Sequence, residues 1–206
     1  MSDETSKAVA RRIRDPQFAN RYLVGRGLDV GAGGDGLSRQ RAHFPGITKV
    51  RDWDMPDGDG QELEGVEDFC FNFVHSSHCL EHLRDPVAAL RRWLDVTVYG
   101  GHVIVLVPDE DMYEQGVWPS TFNPDHKWTF TAWKRASWSP NSVNVLDLVR
   151  LVGTDTELVR LEVLSGTFQY QPGIRVDQTL GASESAIEFI LRRRHPREAE
   201  RGGMLP

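Results

Sequence analysis

Apolar residues in this chain fall into short strand-like runs that alternate with stretches of helical spacing. The runs at residues 69–74 and 102–108 predict buried strands, and the second is almost continuously apolar, as in a strand covered on both faces. Between them, residues 86–98 repeat apolar side chains at three and four positions after Asp85, which predicts a capped helix. This order of strand, helix and strand predicts a parallel sheet with right-handed crossovers.

The first third of the chain predicts a helical segment followed by two more strands. Residues 1–24 form an amphipathic helical segment that is broken at Asp15-Pro16, because a residue before proline avoids helical backbone angles. An apolar strand follows directly, and the β-branched alternation at 47–54 predicts another. Residues 55–63 contain Pro, Gly and Asp and predict a loop.

The last third of the chain predicts one helix and a final hairpin. The helix is expected to begin at Ser139-Pro140. Residues 156–170 and 185–191 alternate like two strands joined by a loop. The charged tail, residues 192–206, is expected to be flexible.

A glycine-rich turn lies at residues 27–36, between a short apolar strand and a predicted helix. Gly31, Gly33 and Gly36 allow a tight turn and let a ligand approach the backbone, while the helix start offers free N–H donors. Asp29 lies two residues before the first glycine, where the fingerprint of nicotinamide-dependent oxidoreductases is usually apolar. A buried carboxylate is costly there without a cation or donors. The turn therefore predicts a ligand site and disfavours that class of enzyme.

Composition restricts the partners and the compartment. The 206 residues carry a formal net charge of -6, so no overall positive field attracts nucleic acid or anionic lipid. No apolar run in the sequence reaches membrane length, and the first residues lack a signal-peptide core. The two cysteines do not suggest a disulfide framework, which favours a reducing compartment, and we predict a cytoplasmic protein.

The composition changes after the strand at 102–108. The segment 109–138 lacks periodicity and mixes acidic side chains with aromatic ones. Four of the six tryptophans lie in it, namely Trp118, Trp128, Trp133 and Trp138. Long irregular segments in compact domains are usually functional, and this one begins at the carboxyl edge of the predicted sheet, where ligands bind in open α/β folds. We therefore predict an aromatic lid over residues 109–138.

Three motifs resemble those of class I S-adenosylmethionine-dependent methyltransferases, of the small-molecule, type 11-like group. The Asp-x-Gly-x-Gly run at residues 29–33 is similar to the family's motif I, in which an acidic residue precedes alternating glycines. Residues 80–86, Leu-Glu-His-Leu-Arg-Asp-Pro, resemble the segment that follows strand four of the family. Residues 126–131 resemble the segment that leads into its last helix. The motifs occur in the family's order over residues 25–191, which we predict to be a single domain.

The resemblance implies an α/β fold, a three-layer sandwich with a Rossmann-like, mostly parallel seven-stranded sheet that ends in an antiparallel hairpin. It also implies methyl transfer from S-adenosyl-L-methionine. An acidic residue at the end of strand two, Asp52 or Asp54, would hold the ribose hydroxyls, because a carboxylate accepts from both. The implied cofactor-binding residues are Asp29, Gly31, Gly33, Asp52, Asp54, Asp59, Gly60 and His78.

Catalytic residues are predicted within the aromatic lid. If the methyl acceptor is a hydroxyl, we expect His126 to be the general base, because an imidazole titrates near working pH. Asp109 and Tyr113 are expected to place the acceptor, and His78 is the second candidate for the base. We expect a small-molecule or glycan-type acceptor rather than a nucleic acid, a protein or a membrane.

A local group of metal-binding residue types invites a different interpretation. His75, His78, Cys79 and His82 lie close together in sequence, with Glu81 as a supporting carboxylate. They would share one face only in a continuous helix, and the predicted junction of strand and loop interrupts it. We therefore predict no metal site, with a zinc-binding module as the alternative.

Two further alternatives stay open. Asp35 stands where motif I expects a glycine, and Asn72 stands where an aspartate is usual in the resemblance. A catalytically inactive methyltransferase-like binding protein would tolerate both changes. A nicotinamide-dependent oxidoreductase shares the glycine spacing, but the acid at position 29 and the final hairpin argue against it.

Overall fold

The computed structural model describes residues 4–171 and 173–204, so the first three residues of the predicted N-terminal segment and the last two of the predicted tail lie outside the described residues. The α-helices are α1 (Glu4–Arg12), α2 (Pro16–Tyr22), α3 (Leu37–Gln40), α4 (Pro86–Asp95), α5 (Val145–Val152) and α6 (Pro196–Arg201). The strands are β1 (Gly25–Val30), β2 (Ile47–Trp53), β3 (Phe71–Ser77), β4 (Thr97–Pro108), β5 (Thr129–Thr131), β6 (Ser142–Asn144), β7 (Thr156–Leu164) and β8 (Ala186–Arg193). Among the described residues, no helix is long and apolar enough to cross a membrane.

Six strands form one sheet in the order β2-β1-β3-β4-β8-β7. The strands β1 to β4 are parallel, and β8 runs antiparallel to both β4 and β7. A separate pair of short parallel strands, β5 and β6, lies outside this sheet. The predicted α/β class and the C-terminal antiparallel hairpin are confirmed. The predicted count of seven strands is wrong, because the main sheet has six in the described part of the chain.

Helices cover both faces of the sheet, which confirms the three-layer sandwich. On one face, apolar side chains of α1, α2 and α3 pack against Phe73, Ile104 and Ile190. On the other face, α4 and α5 pack against a cluster that includes Val74 and Val103. Successive residues of a strand point to opposite faces, so Phe73 and its neighbour Val74 belong to different layers.

The segment between β2 and β3 explains the missing strand. Residues 54–70 contain a single 3-10 turn, Met55–Asp57, followed by further turns. Asp54 and Asp57 cap this turn reciprocally, and Gly58 follows with a φ of 130°, which favours glycine. As a result β2 forms the edge of the sheet, and the loop predicted at 55–63 is confirmed.

Two strands are longer than the sequence predicted. β3 continues to Ser77, where we expected a junction with a loop, because Ser76 and Ser77 pair with β4. β4 begins at Thr97, where we expected the end of a helix, because Thr97 pairs with Phe71 ahead of a register shift. Parallel pairing with a neighbour therefore extends both strands beyond their apolar runs.

Two helices also begin where the sequence did not place them. The helix predicted from Ser139 starts at Val145 instead, because the Asn144 side chain accepts hydrogen bonds from the first turn and caps it. In the segment predicted to be a flexible tail, α6 forms behind a cap at His195. Side-chain caps, which leave weak sequence signals, set both starting points.

A chain of ionisable side chains is buried between the N-terminal helices and the sheet. Arg12 and Glu188 are both fully buried, and Arg12 Nη2 lies 2.7 Å from Glu188 Oε2. Arg12 Nη1 lies 2.9 Å from His75 Nε2, and His75 Nδ1 lies 2.6 Å from Asp29 Oδ1. Burial raises the pKa of Glu188, but the guanidinium groups of Arg12 and Arg11 outweigh it and lower that pKa to about 2. Glu188 therefore carries its charge inside the protein.

Removing one member of this network should destabilise the fold. Arg12→Met should lower the free energy of unfolding by about 3 kcal/mol or more, because it removes the guanidinium that donates to His75 and leaves the buried Glu188 with Arg11 as its remaining partner. Arg150→Met makes the same change at a side chain that is 74% exposed, and it should cost less than about 0.5 kcal/mol. Urea denaturation measures the free energy of unfolding of both variants. A loss for Arg12→Met no larger than that for Arg150→Met would show that Arg12 does not stabilise the buried network.

Candidate functional site

The glycine turn after β1 opens a cleft at the carboxyl edge of the sheet. Gly31 has a φ of 76°, and a Cβ there would lie 2.5 Å from the Cβ of Cys79, so a side chain is excluded. Gly33 has a φ of 51°, and a Cβ there would meet only Asp54, whose Oδ2 lies 4.0 Å away. The turn therefore presents bare backbone to an open space beside Asp54.

The cleft has a volume of about 600 Å³, which is within the range of small-molecule and cofactor sites. It lies between the glycine turn, the end of β2 and the segment after β3. The predicted cofactor residues that line it are Gly31, Asp54, Asp59, Gly60 and His78. Sequence motifs from three separate strand ends are thus brought to one cavity.

Two of the predicted cofactor residues contact protein groups instead of this cleft. Asp29 is buried, and its Oδ2 accepts a hydrogen bond of 2.6 Å from the backbone N–H of Leu37, the first residue of α3. Asp52 accepts from the backbone N–H of Ser38 at 3.3 Å and from the Ser38 hydroxyl. Both carboxylates hold the start of α3 against the sheet. Between the two candidates for a ribose contact, the geometry favours Asp54.

A second cavity, of about 370 Å³, adjoins the cleft. His78 and His82 line both spaces. The second cavity is also lined by Glu4, Lys7, Glu81, Tyr113, Asn123, His126 and Asp177. Its walls come from α1, from the segment after β3, from the aromatic lid and from the loop before β8. Five of these residues are candidates from the sequence, namely His78, Glu81, His82, Tyr113 and His126. No sequence signal indicated that Glu4 and Lys7 of α1 would lie here.

His126 faces this second cavity with one ring nitrogen already engaged. Only 7% of the residue is exposed, and its Nδ1 lies 2.7 Å from Oε1 of Glu114. A carboxylate partner requires a proton on Nδ1, which leaves a lone pair on Nε2. The Tyr113 ring lies beside it, with 5.3 Å between ring centroids. Glu114 was not a predicted site residue, because its contact with His126 arises only from the folding of the lid.

Glu81 is a buried residue of the second cavity, next to the histidines that line both spaces. Its carboxylate is fully buried, and His78 Nδ1 approaches Oε1 to 3.5 Å without forming a hydrogen bond. Burial raises the pKa of Glu81, but the surrounding histidines outweigh it and lower that pKa below its ordinary value. The same contacts raise the pKa of His78 despite its burial. Glu81 and His78 therefore stabilise each other's charged forms.

Asp109 lies behind the cavity rather than in its lining. Its carboxylate accepts hydrogen bonds from the backbone N–H groups of Asp111 and Met112, at 3.0 and 3.1 Å, and caps a π-helical turn, Glu110–Glu114. Burial raises the pKa of Asp109 to about 6. Asp109 therefore positions the turn that carries Tyr113. Its own side chain does not line the cavity.

Part of the aromatic lid lines the second cavity, and several of its aromatic side chains lie elsewhere. Trp128 packs at the core and donates from Nε1 to the carbonyl of Leu83 at 2.9 Å. Trp133 is 71% exposed, and Trp138 hydrogen-bonds Asp111 near the surface. Tyr113 and His126 are the lid residues named from the sequence that line the second cavity.

Comparison with known proteins gives one family match. Residues 17–105 match the family described as a methyltransferase domain. This segment includes the glycine turn, β2, β3, α4 and most of β4. No curated protein matches the sequence.

Solved structures of methyltransferases share the fold at low sequence identity. A SAM-dependent methyltransferase from Archaeoglobus fulgidus is 16% identical, with a TM-score of 0.58 over 93% of this chain and 95% of that one. Phosphoethanolamine N-methyltransferase 2 from Haemonchus contortus, in complex with S-adenosyl-L-methionine, is 14% identical, with a TM-score of 0.56 over 91% and 52%. A methyltransferase in complex with the Trm112 methyltransferase activator of Haloferax volcanii is 15% identical, with a TM-score of 0.57 over 95% and 100%.

These findings agree with the motif order along the chain. The family match covers the segment in which the glycine turn and the Leu-Glu-His motif stand, and the shared fold extends over the C-terminal hairpin. Residues 17–105 therefore match a methyltransferase domain, and the chain as a whole has the fold of solved SAM-dependent methyltransferases.

Proposed function

We propose that this protein transfers a methyl group from S-adenosyl-L-methionine, bound in the cleft, to a small-molecule or glycan-type acceptor bound in the second cavity. One observation carries the proposal. The two spaces share His78 and His82 as a common wall, and one opens on the glycine turn while the other contains buried ionisable groups. A methyl group that is transferred from the cleft to the second cavity would pass beside these two histidines.

The residues around the cleft fit the cofactor. The open space at Gly33 allows a ligand to approach the backbone, and Asp54 offers a carboxylate to the two ribose hydroxyls. Gly60 leaves the backbone of the loop after β2 accessible for the adenine. Asp59 accepts from the backbone N–H of Gln61 at 2.8 Å and pairs with Arg84 at 2.8 Å, so its side chain shapes this loop. The bound cofactor would supply a methyl group activated by a sulfonium charge.

The second cavity suits a small polar acceptor. Its volume of about 370 Å³ is at the lower end of small-molecule sites. Lys7, Glu81 and Asp177 line it with charges of both signs, which favour an acceptor with several polar groups, such as a sugar unit. The enzyme would accelerate the transfer mainly by holding the acceptor atom in line with the methyl group.

His126 is the candidate base for a hydroxyl acceptor. Its hydrogen bond to Glu114 orients the ring and stabilises the imidazolium that forms when Nε2 accepts a proton. Tyr113 packs on the same ring and shapes the cavity beside it. Asp109 acts as a positioning residue, because it caps the turn on which Tyr113 and Glu114 lie.

Cofactor binding should depend on Asp54 more than on Asp52. S-adenosylhomocysteine should raise the melting temperature of the wild-type protein, because a ligand that binds only the folded state stabilises it. Asp54→Ala should weaken its binding by about tenfold or more, equivalent to about 1.4 kcal/mol, through the loss of the ribose contact. Asp52→Ala is the matched control and should lower the melting temperature while changing affinity by less than about threefold.

Calorimetric titration measures both affinities. Loss of binding in Asp52→Ala with retention in Asp54→Ala would assign the ribose contact to Asp52. A melting-temperature shift with NADH and none with S-adenosylhomocysteine would contradict the proposed function.

The base assignment predicts a separation between rate and cofactor affinity. With a hydroxyl acceptor, His126→Ala should lower the methylation rate by about a hundredfold or more, the usual effect of losing a general base. Its affinity for S-adenosylhomocysteine should stay unchanged, since His126 does not line the cleft. His43→Ala, at an exposed histidine, should change neither quantity. A His126→Ala enzyme that keeps its rate, or loses rate and cofactor affinity together, would exclude the assignment.

A further inference from the structure

The lining of the second cavity contains three metal-ligand atoms in one place. Glu81, His82 and His126 each offer a ligand atom, and these atoms lie within 4.8 Å of one another. We infer that these residues form a binding site for one divalent transition-metal ion, open toward the second cavity. The set joins the segment after β3 to the aromatic lid.

Both histidines are oriented as metal ligands are. His126 Nδ1 is engaged by the Glu114 carboxylate at 2.7 Å, and His82 Nδ1 lies 3.2 Å from the backbone carbonyl of Asp125. Each contact requires the proton on Nδ1 and leaves the lone pair on Nε2. Both Nε2 atoms lie 4.0 Å from Glu81 Oε1. Metal-binding histidines almost always have such an outer partner on the second nitrogen.

The Glu81 carboxylate independently indicates a missing cation. It is fully buried, and neither of its oxygens has a hydrogen-bond partner among the described residues. The nearby histidines favour its charge, but both oxygens still lack the hydrogen bonds that a buried carboxylate needs.

Glu110 provides a comparison within the same region. It is equally buried, but it accepts from the hydroxyls of Thr129, Ser137 and Ser142 and pairs with Lys134 at 2.6 Å. The protein thus satisfies one buried glutamate with its own side chains. An ion with two positive charges would satisfy the other.

The donor set determines the class of ion. Two imidazole nitrogens and one carboxylate oxygen favour zinc and similar first-row ions over magnesium or calcium, which prefer oxygen ligands. Bonds of about 2.0–2.2 Å place tetrahedral ligand atoms about 3.3 Å apart. Each histidine Nε2 would need to approach Glu81 Oε1 by less than about one ångström from its 4.0 Å separation, and all three ligand atoms already lie within 4.8 Å of one another. The remaining coordination position would face the acceptor.

This set differs from the one that the sequence suggested. His75 is committed to Asp29 and Arg12 in the interior, and Cys79 lies against the glycine turn. Neither can join Glu81 in a site. The inference replaces the sequence-based prediction of no metal, because His126 reaches the group from 44 residues further along the chain than His82.

A bound ion would change the proposed role of one atom, Nε2 of His126. The lone pair of His126 Nε2 accepts the acceptor proton in the metal-free protein and is a ligand in the metal-loaded protein. In the loaded state, the ion would hold the acceptor oxygen and lower the pKa of its hydroxyl, so that the proton would pass to water instead of to the imidazole. This role rests on the proposed function, whereas metal binding itself does not.

Direct binding tests the inference without an acceptor. Full-length protein freed of metal with a chelator should bind one Co²⁺ or Zn²⁺ per chain, detected by the visible absorption of bound Co²⁺ and by elemental analysis for Zn²⁺. Glu81→Gln and His82→Asn should lower the affinity by about a hundredfold or more, since each removes a ligand. Glu114→Gln should lower it by about tenfold to a hundredfold, the usual effect of losing an outer partner. His43→Asn is the matched control and should bind as the wild type does.

Cofactor binding separates this inference from the proposed function. The melting-temperature shift with S-adenosylhomocysteine should persist in metal-free protein and in Glu81→Gln, which also reports that the variant is folded. Metal-free protein that responds to S-adenosylhomocysteine but binds neither ion would overturn the inference and leave His126 as the base. Equal metal affinity in His82→Asn and the wild type would also overturn it. Metal binding without any cofactor response would instead count against the proposed function.

Discussion

The buried carboxylate of Asp29 is the constraint on which the site's architecture depends. One of its oxygens accepts from the first N–H of α3, and the other meets His75 on the adjacent strand β3. His75 in turn contacts Arg12, which is paired with Glu188 on β8. Each of these buried polar groups would be costly alone, and together they satisfy one another. The glycine turn, the central strand, the N-terminal helix and the final hairpin are thereby joined by one network.

This network also explains why α1 forms part of the second cavity. Arg12, at the last residue of α1, fixes that end of the helix against the sheet. At its other end, the backbone N–H of Ser6 donates to Asp35 of the glycine turn at 2.8 Å. Glu4 and Lys7 then face the second cavity. Asp35, which stands where the methyltransferase motif has a glycine, therefore attaches the N-terminal helix to the turn.

The sequence predicts the parts of the fold that local physics controls. The order of apolar runs indicates the parallel strands, and Asp85-Pro86 indicates the start of α4, where the Asp85 side chain accepts from Val87 and Ala88. The prediction of a seventh strand was wrong because it came from a family pattern. Residues 54–70 are too rich in turn-forming residues to form a strand that pairs with β2. The predicted start of α5 was wrong because Ser142–Asn144 pair with β5 as a strand, and the Asn144 side chain then caps the helix that follows.

The cleft and the second cavity also differ in how far the sequence reveals them. The cleft is made by backbone angles at Gly31 and Gly33, which sequence spacing reveals because glycine tolerates what other residues do not. The second cavity is made by side chains from distant segments, and the contacts of Glu81 with His126 and of His126 with Glu114 have no spacing signal. A buried glutamate looks like any other glutamate in a sequence. Only the structure distinguishes Glu110, which is surrounded by donors, from Glu81, which is surrounded by imidazole nitrogens and has no hydrogen-bond donor among the described residues. The chemistry available in the second cavity therefore follows from what the fold leaves unsatisfied.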